Sequence, residues 1–217
     1  MDRYNRRLTV LLVFAVMLSS CLRVEKKLVV QIPDARWPPM FYRYIDQATE
    51  FSSIKRLREA NLADGDLEVR VWRGFSTAPL EGVILNRTAG SWKALYVTSD
   101  DCCDIKRAVS RPLPAPKSGW DAFWDKLNAA NIMTIQDSSV TGCGASVMDG
   151  IGYVVETNQD HVYRTYMYQA SPDKCAEVQQ MKEIGRIIAA EFYDGKQECK
   201  DALWLPCVAL YGTQNDL

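Results

Sequence analysis

Hydrophobic positions recur along the chain with two periods, and each period predicts its own elements. Leu28-Val29-Val30-Gln31-Ile32 is a short apolar run that predicts a strand, ended by Pro33 and the Trp37-Pro38-Pro39 stretch. Phe41, Tyr44, Ile45, Ala48, Phe51, Ile54 and Leu57 follow at spacings of three and four. They form one helical stripe, with a kink expected near Ser52-Ser53. Asp64-Gly65-Asp66 marks a turn. From Leu67 to Phe75 the period becomes two: Val69, Val71 and Phe75 fall on one side of a strand, Arg70 and Trp72 on the other. Leu80 to Arg87 and Trp92 to Thr98 continue an antiparallel meander, joined by Ala89-Gly90-Ser91 and closed by Asp100 to Asp104.

Arg111-Pro112-Leu113-Pro114-Ala115-Pro116 reads as a stiff polyproline-like connector inside one domain, because neither flank alone has a complete core. Ser118 is expected to cap a helix reaching Leu127, with Trp120, Phe123, Trp124 and Leu127 on its buried side. After a Gly-containing stretch, Gly152 to Thr157 and His161 to Tyr168 predict a hairpin around Asn158-Gln159-Asp160. Pro172 and Asp173 open a long helix to about Tyr193, with Cys175, Val178, Met181, Ile184, Ile188 and Phe192 as its stripe. Strands come in runs rather than in strict alternation with helices. That order predicts an α+β fold, an antiparallel sheet with helices packed on one face.

The front of the chain follows a different pattern. Arg3, Arg6 and Arg7 precede an apolar run from Leu8 to Leu18, and small residues follow, as in an export signal. The run is shorter than the roughly 20 residues that a membrane-spanning helix needs. Leu18-Ser19-Ser20-Cys21 resembles the lipobox of bacterial lipoproteins: a Leu, two small residues and a Cys. The resemblance implies a diacylglyceryl group on the Cys21 thiol, cleavage just before Cys21, and acylation of the new amino group. It divides the chain into a signal peptide (1–20), a lipidated Cys and tether (21–27) and a single α+β domain (28–217). Position 22 is Leu and not the Asp that retains such proteins in the inner membrane, which implies the outer membrane. The partner so implied is the membrane itself, reached through the lipid anchor. A looser resemblance involves Val69-Arg70-Val71-Trp72-Arg73, the Trp120/Phe123/Trp124/Leu127 helix, Asp149-Gly150, Tyr153, Glu156 and Tyr163-Arg164-Thr165-Tyr166. These are similar to spacings in uncharacterised bacterial proteins and imply no activity.

Composition narrows the picture further. With 47 % hydrophobic and 24 % charged residues the chain is globular rather than disordered. Removing residues 1–20 takes away three Arg and one Asp, leaving 23 basic and 26 acidic side chains and a net charge near −3. Nucleic-acid binding rests on clustered Lys and Arg, so it is not expected. The short basic cluster Lys55, Arg56 and Arg58 is balanced by Glu50 and Glu59 and reads as a solvated face. Of seven cysteines, Cys21 is assigned to lipid. Cys102, Cys103, Cys143, Cys175, Cys199 and Cys207 remain, an even set that reads as a disulfide framework in an exported chain. Cys199 and Cys207 are expected to pair, tying down the tail around Leu203, Trp204 and Leu205. The other four allow three connectivities.

Candidate chemistry is sparse. The one histidine, His161, stands beside Asp160 at a predicted hairpin end. Cys143, between Gly142 and Gly144, could supply a thiolate nucleophile if His161 reached it. Asp100-Asp101-Cys102-Cys103-Asp104 mixes hard and soft metal ligands, but its spacing fits half-cystines in an acidic turn better than a metal site. Asp149 and Glu156 are the carboxylates that glycoside chemistry would require in one cleft. Tyr163, Tyr166, Tyr168, Trp72 and Trp92 could form a glycan- or peptide-binding face, although such residues more often build a core. The leading expectation is a membrane-anchored envelope lipoprotein with a non-enzymatic binding or structural role toward an envelope protein or glycan. Neither a metal nor a cofactor is expected. The alternatives are a small envelope hydrolase using Cys143 or a carboxylate with His161, and an inhibitor or immunity lipoprotein.

Overall fold

The computed structural model describes residues 26–75, 78–102, 104–143, 152–169 and 175–192. Among these, seven strands form one sheet: β1 (Val29–Gln31), β2 (Leu67–Gly74), β3 (Glu81–Thr88), β4 (Ser91–Ser99), β5 (Ala108–Leu113), β6 (Gly152–Gln159) and β7 (Val162–Gln169). The strand order is β1-β7-β6-β2-β3-β4-β5. Every neighbouring pair is antiparallel except β1 and β7, which run parallel, so the sheet is mixed. The helices are α1 (Trp37–Phe51), α2 (Trp120–Ala129), the single turn α3 (Ser138–Thr141) and α4 (Ala176–Phe192).

The expectation of helices on one face is corrected: both faces are covered. Val69, Val71, Val83, Leu85, Val155 and Tyr166 pack with Phe123 and Leu127 of α2 and Ile184 and Ile188 of α4. On the opposite face Trp72, Ile84, Val97 and Val154 pack with Trp37, Phe41, Ile45 and Ala48 of α1. The physical cause lies in the central strands. All of β2 but Glu68 is buried, as is all of β6 but Gln159, so neither face is left for water. Arg70 and Trp72 look like the wet side of an alternating strand, yet they are 2 % and 0 % exposed. Phe75 joins this second face and stacks on Phe41 at 4.5 Å, because Gly74 (φ 128°) and Phe75 (φ 72°) break the alternation.

Proline placement explains two further differences. Pro38 and Pro39 do not end a strand; they occupy the first turn of α1, where a missing N–H costs nothing. The Arg111–Pro116 connector begins as part of β5, where Pro112 sits opposite Leu95 on the outermost strand. An edge strand is the place in a sheet that tolerates proline. The stripe expected to continue through Leu57 stops at Phe51; Ser53 turns left-handed (φ 56°) and Leu57–Glu59 forms a separate 3-10 turn. The β6–β7 turn falls on Asp160 and His161, both at positive φ (51° and 64°), the twist that two-residue hairpins favour.

Gly119, not Ser118, precedes α2. Ser118 instead gives its N–H and Oγ–H to the Glu191 carboxylate near the end of α4, at 2.8 and 2.7 Å, and Lys126 Nζ reaches the same carboxylate at 2.5 Å. Burial alone would raise the Glu191 carboxyl, but Lys126 and both Ser118 donors outweigh it and hold it below its ordinary value. A carboxyl depressed in the folded state stabilises above its unfolded pKa, about 4.3, and that contribution is lost as pH falls through the folded value. Glu191→Gln should therefore cost roughly 1 kcal/mol at neutral pH. It should also flatten the acid limb of the stability curve, read by urea unfolding across the acid range. A variant with an unchanged acid limb would show that this contact carries no linkage.

The Cys143–Cys175 disulfide closes a separation of 32 residues and ties the segment after α3 to the start of α4. It is one of the pairings that the sequence left open among Cys102, Cys103, Cys143 and Cys175. Cys102 is half of a disulfide as well. Cys21, Cys103, Cys199 and Cys207 lie outside the described residues, and with them the expected Cys199–Cys207 pair.

Candidate functional site

The α1 face of the sheet is built from three cross-strand rows. In the order β7-β6-β2-β3-β4 they are Tyr163–Asn158–Glu68–Asn86–Lys93, Thr165–Glu156–Arg70–Ile84–Leu95 and Met167–Val154–Trp72–Gly82–Val97. Trp72, Val154 and Val97 in the third row pack with α1. Beyond α1 the chain turns at Ser53 and passes back over the β2-β3-β4 part of the first two rows, leaving a half-open pocket of about 390 Å³ beneath residues 54–62. Its walls are apolar, with Ile54 and Leu62 on one side and Ile84 and Leu95 on the other. The size and lining are those of ordinary small-molecule sites, which run from about 300 to 1,000 Å³.

The polar groups in this pocket come from neighbouring strands. Arg70 is 2 % exposed; its Nε donates to Glu68 Oε1 at 2.7 Å and its Nη2 to the Lys55 carbonyl at 2.7 Å. Asn86 Nδ2 donates to the other Glu68 oxygen at 2.9 Å. Arg70 Nη1 is buried and has no hydrogen-bond partner among the described residues. Lys55 and Lys93 line the same pocket from exposed positions. Glu68 offsets the charge of Arg70, so the two lysines leave the mouth positive.

A second polar group is buried around Glu156, which lies opposite Arg70 across β6 and β2. Glu156 is 0 % exposed and accepts from Trp72 Nε1 at 2.7 Å and from the Tyr163 hydroxyl at 2.8 Å; Tyr42 and Tyr163 share a hydroxyl contact of 2.9 Å. Burial pushes the Tyr42 hydroxyl up to about 12 despite the bond to Tyr163, and burial with the Glu156 carboxyl raises Tyr163 well above its ordinary value. Both tyrosines therefore keep their protons at neutral pH, and the Tyr42 hydroxyl ties the group to α1. Arg58 closes it from outside. It is held by paired 2.6 Å bonds to Asp46 and lies 4.7 Å above the Tyr42 ring.

The residues singled out by sequence do not converge on this pocket. His161 stands in the β6–β7 turn, 2.7 Å from both Asn61 Oδ1 and Asp64 Oδ1. Cys143 lies at the far end of β7: its N–H meets Thr141 Oγ1, which meets the Tyr168 hydroxyl. Val162 to Tyr168 spans roughly 20 Å of strand. Cys143 is oxidised in addition, so the thiolate–imidazole pair does not form. The sulfurs of Cys143 and Cys175 lie near a Glu177 oxygen, but sulfurs joined to each other are not thiolate ligands. Asp100 Oδ1 accepts from the Lys106 and Arg107 N–H groups and shapes the acidic turn. Asp149 lies outside the described residues, and Glu156 is enclosed as described above. Tyr163, Tyr166, Tyr168 and Trp72 are core, while Trp92 is half-buried and stacked on Trp120 at 5.6 Å.

Arg70, Glu68, Asn86 and Lys93 are the residues that sequence reading missed. A usable signal existed in Glu68 and Arg70, opposite charges two apart on one strand face, where they can pair. Lys55, Arg56 and Arg58, read as a solvated face, divide their roles: Arg58 and Arg56 pair with Asp46 and Glu59, and the Lys55 backbone anchors Arg70. Compared with known proteins, the chain matches no family model, no curated protein and no solved structure.

Proposed function

We propose that the chain is a lipid-anchored protein of the bacterial cell envelope, held through Cys21, whose folded body binds another envelope component and is not a catalyst. The anchor reading rests on Leu18-Ser19-Ser20-Cys21 after a basic and apolar lead, with Leu22 favouring the outer membrane. The binding reading rests on one observation: the pocket beneath residues 54–62 joins apolar walls to the buried Arg70 and the exposed Lys55 and Lys93. Its polar lining also contains Glu68, but that carboxylate is already engaged by Arg70 and Asn86. This chemistry holds a ligand and does not attack one. The form of the hydrolase alternative that uses Cys143 loses its support, because Cys143 is far from His161 and oxidised; the form that uses a carboxylate with His161 is not touched by that separation, and Asp64 Oδ1 lies 2.7 Å from His161 Nε2.

The anchor is tested by metabolic labelling with a fatty acid. Wild-type protein should incorporate label, and Cys21→Ser should not and should remain uncleaved. Equal labelling of the mutant would remove the anchor from this reading.

A further inference from the structure

Resting on the anchor reading, we propose that the β1 edge of the sheet seats on the bilayer, with Val29, Val30, Ile32 and Val140 at the lipid–water interface. Exposed aliphatic side chains gather at this edge. These four are 52, 46, 41 and 68 % exposed, and they are four of the seven large hydrophobics that stand in solvent among the described residues. They come together from two parts of the chain, because Ile32 and Pro33 line one open groove with Val140 of α3. Single surface hydrophobics are ordinary, but a group of them at a bare sheet edge is a liability that folded proteins cover.

The tether points to lipid as the cover. Lys26 is five residues from Cys21, a span of at most about 18 Å. It is fixed to the domain by Asn61 Nδ2, which donates to its carbonyl at 3.2 Å, and by Asp64, 2.9 Å from its Nζ. β1 begins three residues later, where the Val29 N–H donates to the His161 carbonyl at 2.8 Å. A lipid on Cys21 therefore keeps this edge close to the bilayer. The opposite edge, β5, lies six strand spacings away, roughly 29 Å, beyond the reach of the tether. A protein strand is the poorer occupant. Val29 and Gln31 turn their backbone groups toward β7, so of the three residues only Val30 turns outward. Strand addition draws its affinity from a row of main-chain hydrogen bonds, which one residue does not supply. Seating on lipid needs no such row, because it scales with the apolar area buried.

The test places the full chain in nanodiscs of phosphatidylcholine whose acyl chains carry a diazirine, with adducts mapped by peptide mass spectrometry after irradiation. Adducts should concentrate in residues 28–33 and 137–142 and spare β5, although Val109 there is 54 % exposed. Val30→Asp combined with Ile32→Asp should cut the yield several-fold. Val140→Asp lies outside the strand and should also cut it, with the melting temperature unchanged. Adducts as frequent in β5 as in β1, or a yield unchanged in Val140→Asp, would each overturn the proposal. A Cys21→Ser chain that sediments as a dimer, and as a monomer once Val30→Asp is added, would overturn it by assigning the edge to a second copy. Fatty-acid labelling of the same samples separates the two readings. A labelled wild type without adducts at β1 overturns the seating alone, whereas a wild type that carries no label overturns the anchor and the seating with it.

Discussion

Gly82→Ala is expected to be among the most damaging single changes in the protein, although it adds only one methyl group. Gly82 sits on β3 directly opposite Trp72 on β2. A Cβ at that position would lie 2.5 Å from both Cε3 and Cζ3 of the indole, closer than carbon atoms approach without something moving. The indole has nowhere to go. It is 0 % exposed, packed in the α1-side core, and tied through Nε1 to Glu156. Relief requires shifting β3 away from β2 or breaking the indole–carboxyl bond, and overpacking of this kind costs about 3 kcal/mol. That is a large part of the 5–15 kcal/mol that holds a typical domain together. Urea unfolding measures the loss. Trp72→Phe should also destabilise, by leaving Glu156 Oε2 without its donor, but Gly82→Ala combined with Trp72→Phe should cost clearly less than the two single effects added. Strict additivity would show that the alanine harms the protein by some route other than the indole.

The same contact shows where sequence reading reaches and where it stops. Periodicity marks β2, β3, β4, β6, β7, α2 and α4, because each buries a stripe that its own residues announce. It does not say how many faces of the sheet are covered. Arg70 between Val69 and Val71 has the pattern of a half-wet strand, and only the fold reveals that Glu68 and the Lys55 carbonyl hold its Nε and Nη2 under cover. β5 is concealed by Pro112, which is tolerated because that strand is the sheet's edge. Counting cysteines predicts disulfides, whereas the choice of Cys175 for Cys143 depends on the segment after α3 meeting the start of α4. The pocket is the least legible feature of all. Its walls come from three strands and a segment after a helix, brought together by register, and no local pattern carries register between distant strands.

Glu156→Ala should cost more than any substitution on the surface, and Glu156→Gln should recover most of the loss. The carboxyl lies in the middle of the sheet, between Thr165 on β7 and Arg70 on β2, and is fully buried. Truncation leaves the Trp72 N–H, which can only donate, without an acceptor and deprives Tyr163 of its own. Each stranded donor costs about 1–3 kcal/mol, and the cavity adds to that, so a total of about 3–5 kcal/mol is expected. Glutamine keeps the volume. Its amide oxygen can accept from Trp72, and its amide nitrogen can donate to the Tyr163 oxygen if that hydroxyl turns to donate to Tyr42, only 2.9 Å away. The turn is available because a tyrosine hydroxyl both donates and accepts. Tyr42→Phe in the Glu156→Gln background removes the acceptor that this reversal needs, and should cost more there than in the wild type. Calorimetric melting of the four proteins reads the cycle. Equal costs of Tyr42→Phe in both backgrounds would mean that the chain of hydroxyls does not reverse, and that glutamine is tolerated for its shape alone.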